Sequence, residues 1–220
     1  MSAQITFKNK KLKASSKRWL QRHMNDHYVE KAKKAGYSSR AAFKLLELDD
    51  KYKFMKSGQT VIDLGAAPGG WSQIIAQRVQ SPQAGKVIAI DILEMNDIPG
   101  VHIITGDFLS KETYDKIAAA IGNEKVDGVV SDMAPNTTGH KKTDHLRLMG
   151  LVSPAYDFAK QFLKKDGYFI AKLFEGGAQK ELLDEIKKNF TKVRHVKPPA
   201  SRKNSSEMYL LATGYKDNEI

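Results

Sequence analysis

Thirteen residues, Thr60-Val-Ile-Asp-Leu-Gly-Ala-Ala-Pro-Gly-Gly-Trp-Ser72, constrain this chain more than any other stretch. An apolar run ends in an acid, breaks into a glycine loop and resumes as Trp-Ser-Gln-Ile-Ile-Ala at helical spacing. That is the order of a strand, a tight turn and a helix. Asp63 stands at the strand's end, and Gly65, Gly69 and Gly70 would let backbone pass close to a ligand. The dinucleotide fingerprint needs glycines at G-x-G-x-x-G so that pyrophosphate can rest on a helix N-terminus. That spacing fails here, and Pro68 removes a backbone donor from the turn. The segment predicts a pocket for a nucleoside without phosphates, such as S-adenosylmethionine (SAM). The plain alternative is an ordinary turn between strand and helix.

The rest of the chain repeats this alternation. Strands are predicted at Val61 to Leu64, Val87 to Ile92, Val101 to Thr105, Val126 to Ser131 and Tyr168 to Leu173, with helices at Trp71 to Val79, Lys111 to Ile121, Thr143 to Leu163 and Gln179 to Asn189. Two last strands, Lys192 to Val196 and Glu207 to Thr213, have no helix between them and are expected to pair antiparallel at one sheet edge. The expected fold is α/β, a Rossmann-like, mostly parallel seven-stranded sheet with one antiparallel edge strand and helices on both faces. At 220 residues with 41% hydrophobic content the chain suits one domain over residues 16–220, preceded by a flexible basic arm over residues 1–15. Trp19, Leu20, Met24, Tyr28 and Ala32 predict an amphipathic helix from Ser16 to Ala35, stopped by Gly36. A second helix follows, with Ser39 as its cap and Ala42, Leu45, Leu46 and Leu48 on its buried side.

The net charge of +11 is concentrated at one end. Residues 1–44 carry twelve lysines and arginines against Asp26 and Glu30, so the remainder is nearly neutral. Such an arm suits a polyphosphate, and nucleic acid is the expected partner, with Trp19 and Tyr28 nearby to stack. There is no cysteine, which excludes disulfides, thiolate metal sites and thiol nucleophiles. No run approaches the roughly 18 apolar residues of a membrane span, and the basic N-terminus lacks a signal peptide's apolar stretch. The expectation is a cytoplasmic protein without membrane contact. His140 and His145, five apart, do not share a helical face, so no metal site is assigned.

In sheets of this kind ligands lie beyond the carboxyl ends of the strands, where strand order reverses. Asp63, Asp91, Asp107, Asp132 and Lys172 are predicted there. Asp91 suits ribose hydroxyls and Asp107 an adenine amino group, with Phe108 packed nearby, although either acid could instead cap a following helix. Methyl transfer to an exocyclic base nitrogen usually uses an acid or amide, two prolines and an aromatic, which Asp132-Met-Ala-Pro does not match. Transfer to pyrimidine C5 commonly needs a cysteine, which leaves a hydroxyl as the simplest acceptor. A hydroxyl needs a positioned base. Lys172, in Phe-Ile-Ala-Lys-Leu-Phe, has apolar neighbours that favour an uncharged amine, whereas Asp132 and Glu207 would favour the ammonium.

Lys44 in Ser-Arg-Ala-Ala-Phe-Lys-Leu, Asp132 in Ser-Asp-Met-Ala-Pro-Asn, Lys172 in Ala-Lys-Leu-Phe and Glu207 in Ser-Ser-Glu-Met-Tyr together form a pattern. With Asp-Leu-Gly-Ala-Ala-Pro-Gly-Gly-Trp at 63–71, it resembles the Lys-Asp-Lys-Glu tetrad of the FtsJ/RrmJ family of RNA ribose 2'-O-methyltransferases. The resemblance runs from about Arg18 to the C-terminus. It implies a SAM site lined by Gly69, Trp71, Asp91, Asp107 and Asp132, and Lys172 as proton acceptor. Lys44 would orient the ribose or its phosphate, and Glu207 would hold the two lysines. Compact length favours the family's bacterial ribosomal branch, which implies a uridine in the A loop of 23S rRNA, within the large subunit, and a monomeric enzyme. Two basic loops, 137–143 and 197–205, are expected to meet RNA. Competing expectations are 2'-O-methylation of tRNA or an mRNA cap, or a non-enzymatic RNA-binding ribosome-assembly factor.

Overall fold

The computed structural model describes residues 26–122, 124–135, 138–176 and 179–217. The basic arm and the predicted helix up to residue 25 lie outside them. The described chain opens with α1 (His27–Ala35), whose N-cap Asp26 accepts the Tyr28 amide at 3.1 Å and whose C-cap Gly36 has φ 73°. It continues through α2 (Ala42–Tyr52), β1 (Thr60–Leu64), α3 (Gly70–Val79), β2 (Lys86–Asp91), β3 (Val101–Thr105), α4 (Lys111–Ile121) and β4 (Val126–Ser131). The remaining elements are α5 (Lys141–Phe162), β5 (Leu163–Phe174), α6 (Lys180–Asn189), β6 (Phe190–Val196) and β7 (Glu207–Tyr215). Ser39 does not cap α2. The helix starts after a turn, its N-cap is Ala41, and no side chain bonds there.

One seven-stranded sheet has the order β3-β2-β1-β4-β5-β7-β6. Strands β1 to β5 are mutually parallel where they pair, and strand order reverses between β1 and β4. β7 runs antiparallel to both β5 and β6. The antiparallel strand therefore lies one place in from the edge, and β6 is outermost. Burial explains this placement. Tyr209 to Ala212 in β7 are all buried and need strands on both sides, whereas β6 is mostly exposed and offers Lys192 and Arg194, side chains that tolerate an edge.

Alternation along β1 splits the core into two faces. Ile62 and Leu64 join the cluster that packs under α4, α5 and α6, including Ile117, Tyr156 and Ile186. Val61 faces the other way with Leu45, Trp71, Ile74 and Ile75 from α2 and α3. By the same period of two, Asp63 shares the Val61 face. It is therefore carried into an apolar layer just where the strand meets the glycine loop. Among the described residues no helix is long and apolar enough to cross a membrane.

Candidate active site

Four elements converge beside the reversal point. Lys172 on β5 lies directly opposite Tyr209 on β7, and Glu207, two residues before Tyr209, points to the same face. Asp132 follows the last residue of β4, and Lys44 comes from the first turn of α2. Lys172 Nζ lies 2.8 Å from Asp132 Oδ1, donates to the Asp132 carbonyl at 2.6 Å and stands 3.9 Å from Glu207 Oε2. Lys44 Nζ donates to Glu207 Oε2 at 2.8 Å, and Ser201 Oγ donates to Glu207 Oε1 at 2.8 Å. The structure thus brings all four tetrad positions together as two ion pairs sharing one corner. Both lysines are only 7% exposed, so the pairs interact with little screening by water.

Electrostatics mark Asp132 and Asp63 in opposite directions. Burial would raise Asp132, but the Lys172 and Lys44 charges and the hydrogen bonds from Lys172 and Tyr209 outweigh it and hold this carboxyl below the usual range. Among the described residues no cation pairs with Asp63. Burial pushes it up to about 7, Ser72 draws it part of the way down, and the nearby Asp132 and Asp91 charges push it up again. One Asp63 oxygen accepts from Ser72 Oγ at 2.6 Å, and the other is buried with no partner. Such an orphan is costly unless something meets it.

Tyr209 was not among the residues singled out from the sequence. Its hydroxyl donates to Asp132 Oδ1 at 2.6 Å, its ring lies 5.8 Å from Lys44 Nζ, and it packs on Trp71 at 5.5 Å. A tyrosine inside a strand looks like core, and only its i+2 spacing from Glu207 signalled a polar role.

The glycines of the loop also admit close approach by protein. A Cβ at Gly65 would lie 2.2 Å from the Met133 side chain, at Gly69 2.3 Å from Ile98, and at Gly70 2.4 Å from Ser39 Oγ. Protein already fills the space that these glycines leave. Gly70 in particular lets α3 approach the start of α2, where Ala42 N is 3.3 Å from the same point. Trp71 is buried, and its indole N–H donates to the Ala41 carbonyl at 2.9 Å, so its ring ties α3 to the helix that carries Lys44. What the loop turns toward the strand ends is backbone, at the N-terminus of α3.

Asp91 and Asp107 sit at the strand ends as expected, with part of their capacity already used. Asp91 accepts the Ala67 amide on one oxygen and the Leu93 amide on the other, both at 2.8 Å, and Asp107 accepts the Leu109 amide at 3.0 Å. Each oxygen retains a second lone pair. Phe108 is a correction: it is buried against Phe158, with ring centroids 5.9 Å apart, and belongs to the core. The apolar side chains exposed beside these acids are Ile92, Leu93 and Leu109. Sequence reasoning passed over them, although each lies within two residues of a strand-end acid.

Both basic loops flank the tetrad. In the first, Asn136 and Thr137 lie outside the described residues, while the Thr138 and Gly139 amides and the Thr138 hydroxyl are gathered by Asp144 at 2.6–3.0 Å. The amide and hydroxyl of Thr138 hold that carboxyl below its ordinary range. The second is less of a surface loop than expected. Ala200 and Ser201 are buried, and Arg202 pairs with Asp26 at 3.1 Å.

The family model described as FtsJ-like methyltransferase matches residues 37–215, which include all four tetrad positions and the glycine loop. The chain belongs to the FtsJ-like methyltransferase family. This FtsJ-like methyltransferase is 55% identical over 210 residues to the ribosomal RNA large subunit methyltransferase E of Rhodopseudomonas palustris (strain HaA2), covering 95% of this chain and 89% of the relative. It is 57% identical over 207 residues to the protein of the same name from Afipia carboxidovorans, covering 94% and 92%. Among solved structures, one titled as a ribosomal RNA methyltransferase from Plasmodium falciparum matches with a TM-score of 0.72 at 31% identity, over 81% of this chain and 98% of that one.

Proposed function

We propose that this methyltransferase transfers a methyl group from SAM to the ribose 2'-hydroxyl of a uridine in the A loop of 23S rRNA, with Lys172 as general base. The observation that carries the proposal is the shared corner of Lys44, Asp132, Lys172 and Glu207 at the sheet's reversal point. The names of the relatives support ribosomal RNA as the substrate.

The residues present fit SAM. An unpartnered Asp63 oxygen, the spare lone pairs of Asp91 and Asp107 and the exposed Ile92 suit a ligand that is cationic at one end and flat at the other. Bound, SAM supplies a methyl carbon made electrophilic by its sulfonium. Asp132 holds Lys172 Nζ at the tip of β5 through both its carboxylate and its carbonyl. Once Nζ has given a proton to solvent, its lone pair accepts the hydrogen of a ribose hydroxyl seated against it. Lys44, kept in line by Glu207, orients that ribose or its phosphate. The basic N-terminal residues and the loops around 138–142 and 197–205 supply cations for the surrounding RNA.

SAM affinity is expected to depend on pH through Asp63. Its pKa is raised to about 7, so the carboxyl is mostly neutral at pH 5.5 and ionised at pH 8. A cationic ligand prefers the carboxylate, so the dissociation constant measured by calorimetry should fall by at least about tenfold between those pH values and level off above about pH 8. Asp63→Asn should remove the dependence. Equal affinity of the parent protein at both pH values would count against Asp63 as a cofactor group.

Substrate choice is tested by offering assembled large subunits, naked 23S rRNA and tRNA with radiolabelled SAM, and mapping the labelled nucleotide. Label on one A-loop ribose of 23S rRNA is the expected result. Exclusive labelling of tRNA would overturn the substrate, and strong RNA binding with no transfer to any RNA would overturn the enzymatic reading.

A further inference from the structure

We infer that Ser201 is a positioning residue that decides which lysine Glu207 holds, and so keeps Lys172 paired with Asp132 and aimed at its acceptor. The inference rests on the reading of Lys172 as general base. Glu207 has two carboxylate oxygens and two lysines within reach. Its Oε1 is taken by Ser201 Oγ at 2.8 Å, which leaves Oε2 for Lys44 at 2.8 Å and keeps it 3.9 Å from Lys172. The corner is thereby divided into a Lys44–Glu207 pair and a Lys172–Asp132 pair.

Ser201 is itself fixed from α2. The amide of its neighbour Ala200 donates to Glu47 Oε2 at 2.6 Å, and the Ala200 carbonyl accepts from Arg40 Nη2. Glu47 lies three residues after Lys44 on α2 and Arg40 in the turn just before the helix, so the stretch that presents Lys44 also grips the loop that presents Ser201. Ala200 is fully buried and Ser201 nearly so, which removes the freedom of a solvated loop. The other oxygen of Glu47 accepts from Tyr28 at 2.7 Å, and Asp26 binds both Arg40 and Arg202. A serine within a basic surface loop therefore has the rigidity of a core residue.

Removing the Ser201 hydroxyl leaves Glu207 Oε1 without its donor, and the carboxylate regains rotation toward Lys172. The groups around Lys172 are Asp132 after β4, Glu207 and Tyr209 on β7, and Lys44 on α2, with Asp63 of β1 beyond Asp132. Bringing Glu207 from 3.9 Å to contact would give Lys172 a second close carboxylate. Glu207 would then compete with Asp132 for Nζ and draw it off the position in which the ribose hydroxyl is met.

The test is kcat and KM for RNA at saturating SAM with large-subunit rRNA, for the full-length parent protein, Ser201→Ala, Ser201→Thr and Lys172→Ala. Ser201→Ala should lower kcat about tenfold and leave KM for RNA unchanged, and Ser201→Thr should restore the parent kcat. An unchanged kcat, or a loss carried by KM instead, would overturn the positioning role while Lys172→Ala remained inactive. Activity retained by Lys172→Ala would instead remove the base on which the inference rests and overturn both.

Discussion

Replacing Lys172 with alanine is expected to abolish methyl transfer, lowering kcat by about 10²–10⁴-fold, while the SAM dissociation constant changes by less than about threefold. The first part follows from the loss of the amine at the tip of β5 that is held through two Asp132 oxygens. The second follows from where the candidate cofactor groups sit: Asp63, Asp91 and Asp107 lie at or just beyond the carboxyl ends of β1, β2 and β3, on the far side of the reversal point, and Asp132 keeps its hydrogen bond from Tyr209. Lys172→Arg sharpens the test. A guanidinium keeps the positive charge beside Asp132 but does not give up its proton at accessible pH, so this variant should be as inactive as alanine. Measurement of single-turnover transfer alongside calorimetric SAM binding separates the cases. An active arginine variant would mean that the site needs charge at this position and takes the proton elsewhere, and equal loss of binding and transfer would assign Lys172 to the fold.

The second large effect is on stability. Trp71→Ala is expected to destabilise the protein by about 3–5 kcal/mol, because it empties a fully packed site and strands the Ala41 carbonyl that the indole N–H now satisfies. In a protein of this size that corresponds to a fall of roughly 6–20 °C in Tm by scanning calorimetry. The resemblance placed Trp71 in the cofactor site. Its side chain joins α3, α2 and Tyr209 as packing, so the variant should also loosen the placement of Lys44. Near-parental Tm with weakened SAM binding would reverse that assignment. Trp71→Phe, which keeps most of the volume and loses only the hydrogen bond, should fall between the two.

The strand and helix order was legible because the period of the apolar residues switches cleanly between two and about 3.6, and because Gly36 and the 65–70 loop punctuate it. The tetrad was legible through resemblance, because the short segments around Lys44, Asp132, Lys172 and Glu207 match a family pattern. Pairing partners were not. The place of β7 between β5 and β6 depends on how completely Tyr209 to Ala212 are buried, and that is a property of the assembled sheet. Gly70 shows the same limit. A glycine next to a helix start predicts close approach, but whether ligand or protein makes the approach depends on Ser39, thirty-one residues away. Lys172 presented two opposed local arguments, apolar neighbours against acids. The fold settles which acids arrive and at what distance, with Asp132 in contact and Glu207 drawn off toward Lys44.

The reversed direction of β7 has a further result. A strand that runs with its neighbours delivers its last residues to the reactive rim, and whatever follows must turn back into a helix. β7 delivers its first residues there, so the span from Lys197 to Ser206 arrives at the rim from outside and is anchored at Ala200 before Glu207 enters the sheet. The approach of this span and the entry of Glu207 into the sheet are thus set by a buried anchor in a loop, through Ser201 and Ser205, and not by a preceding helix.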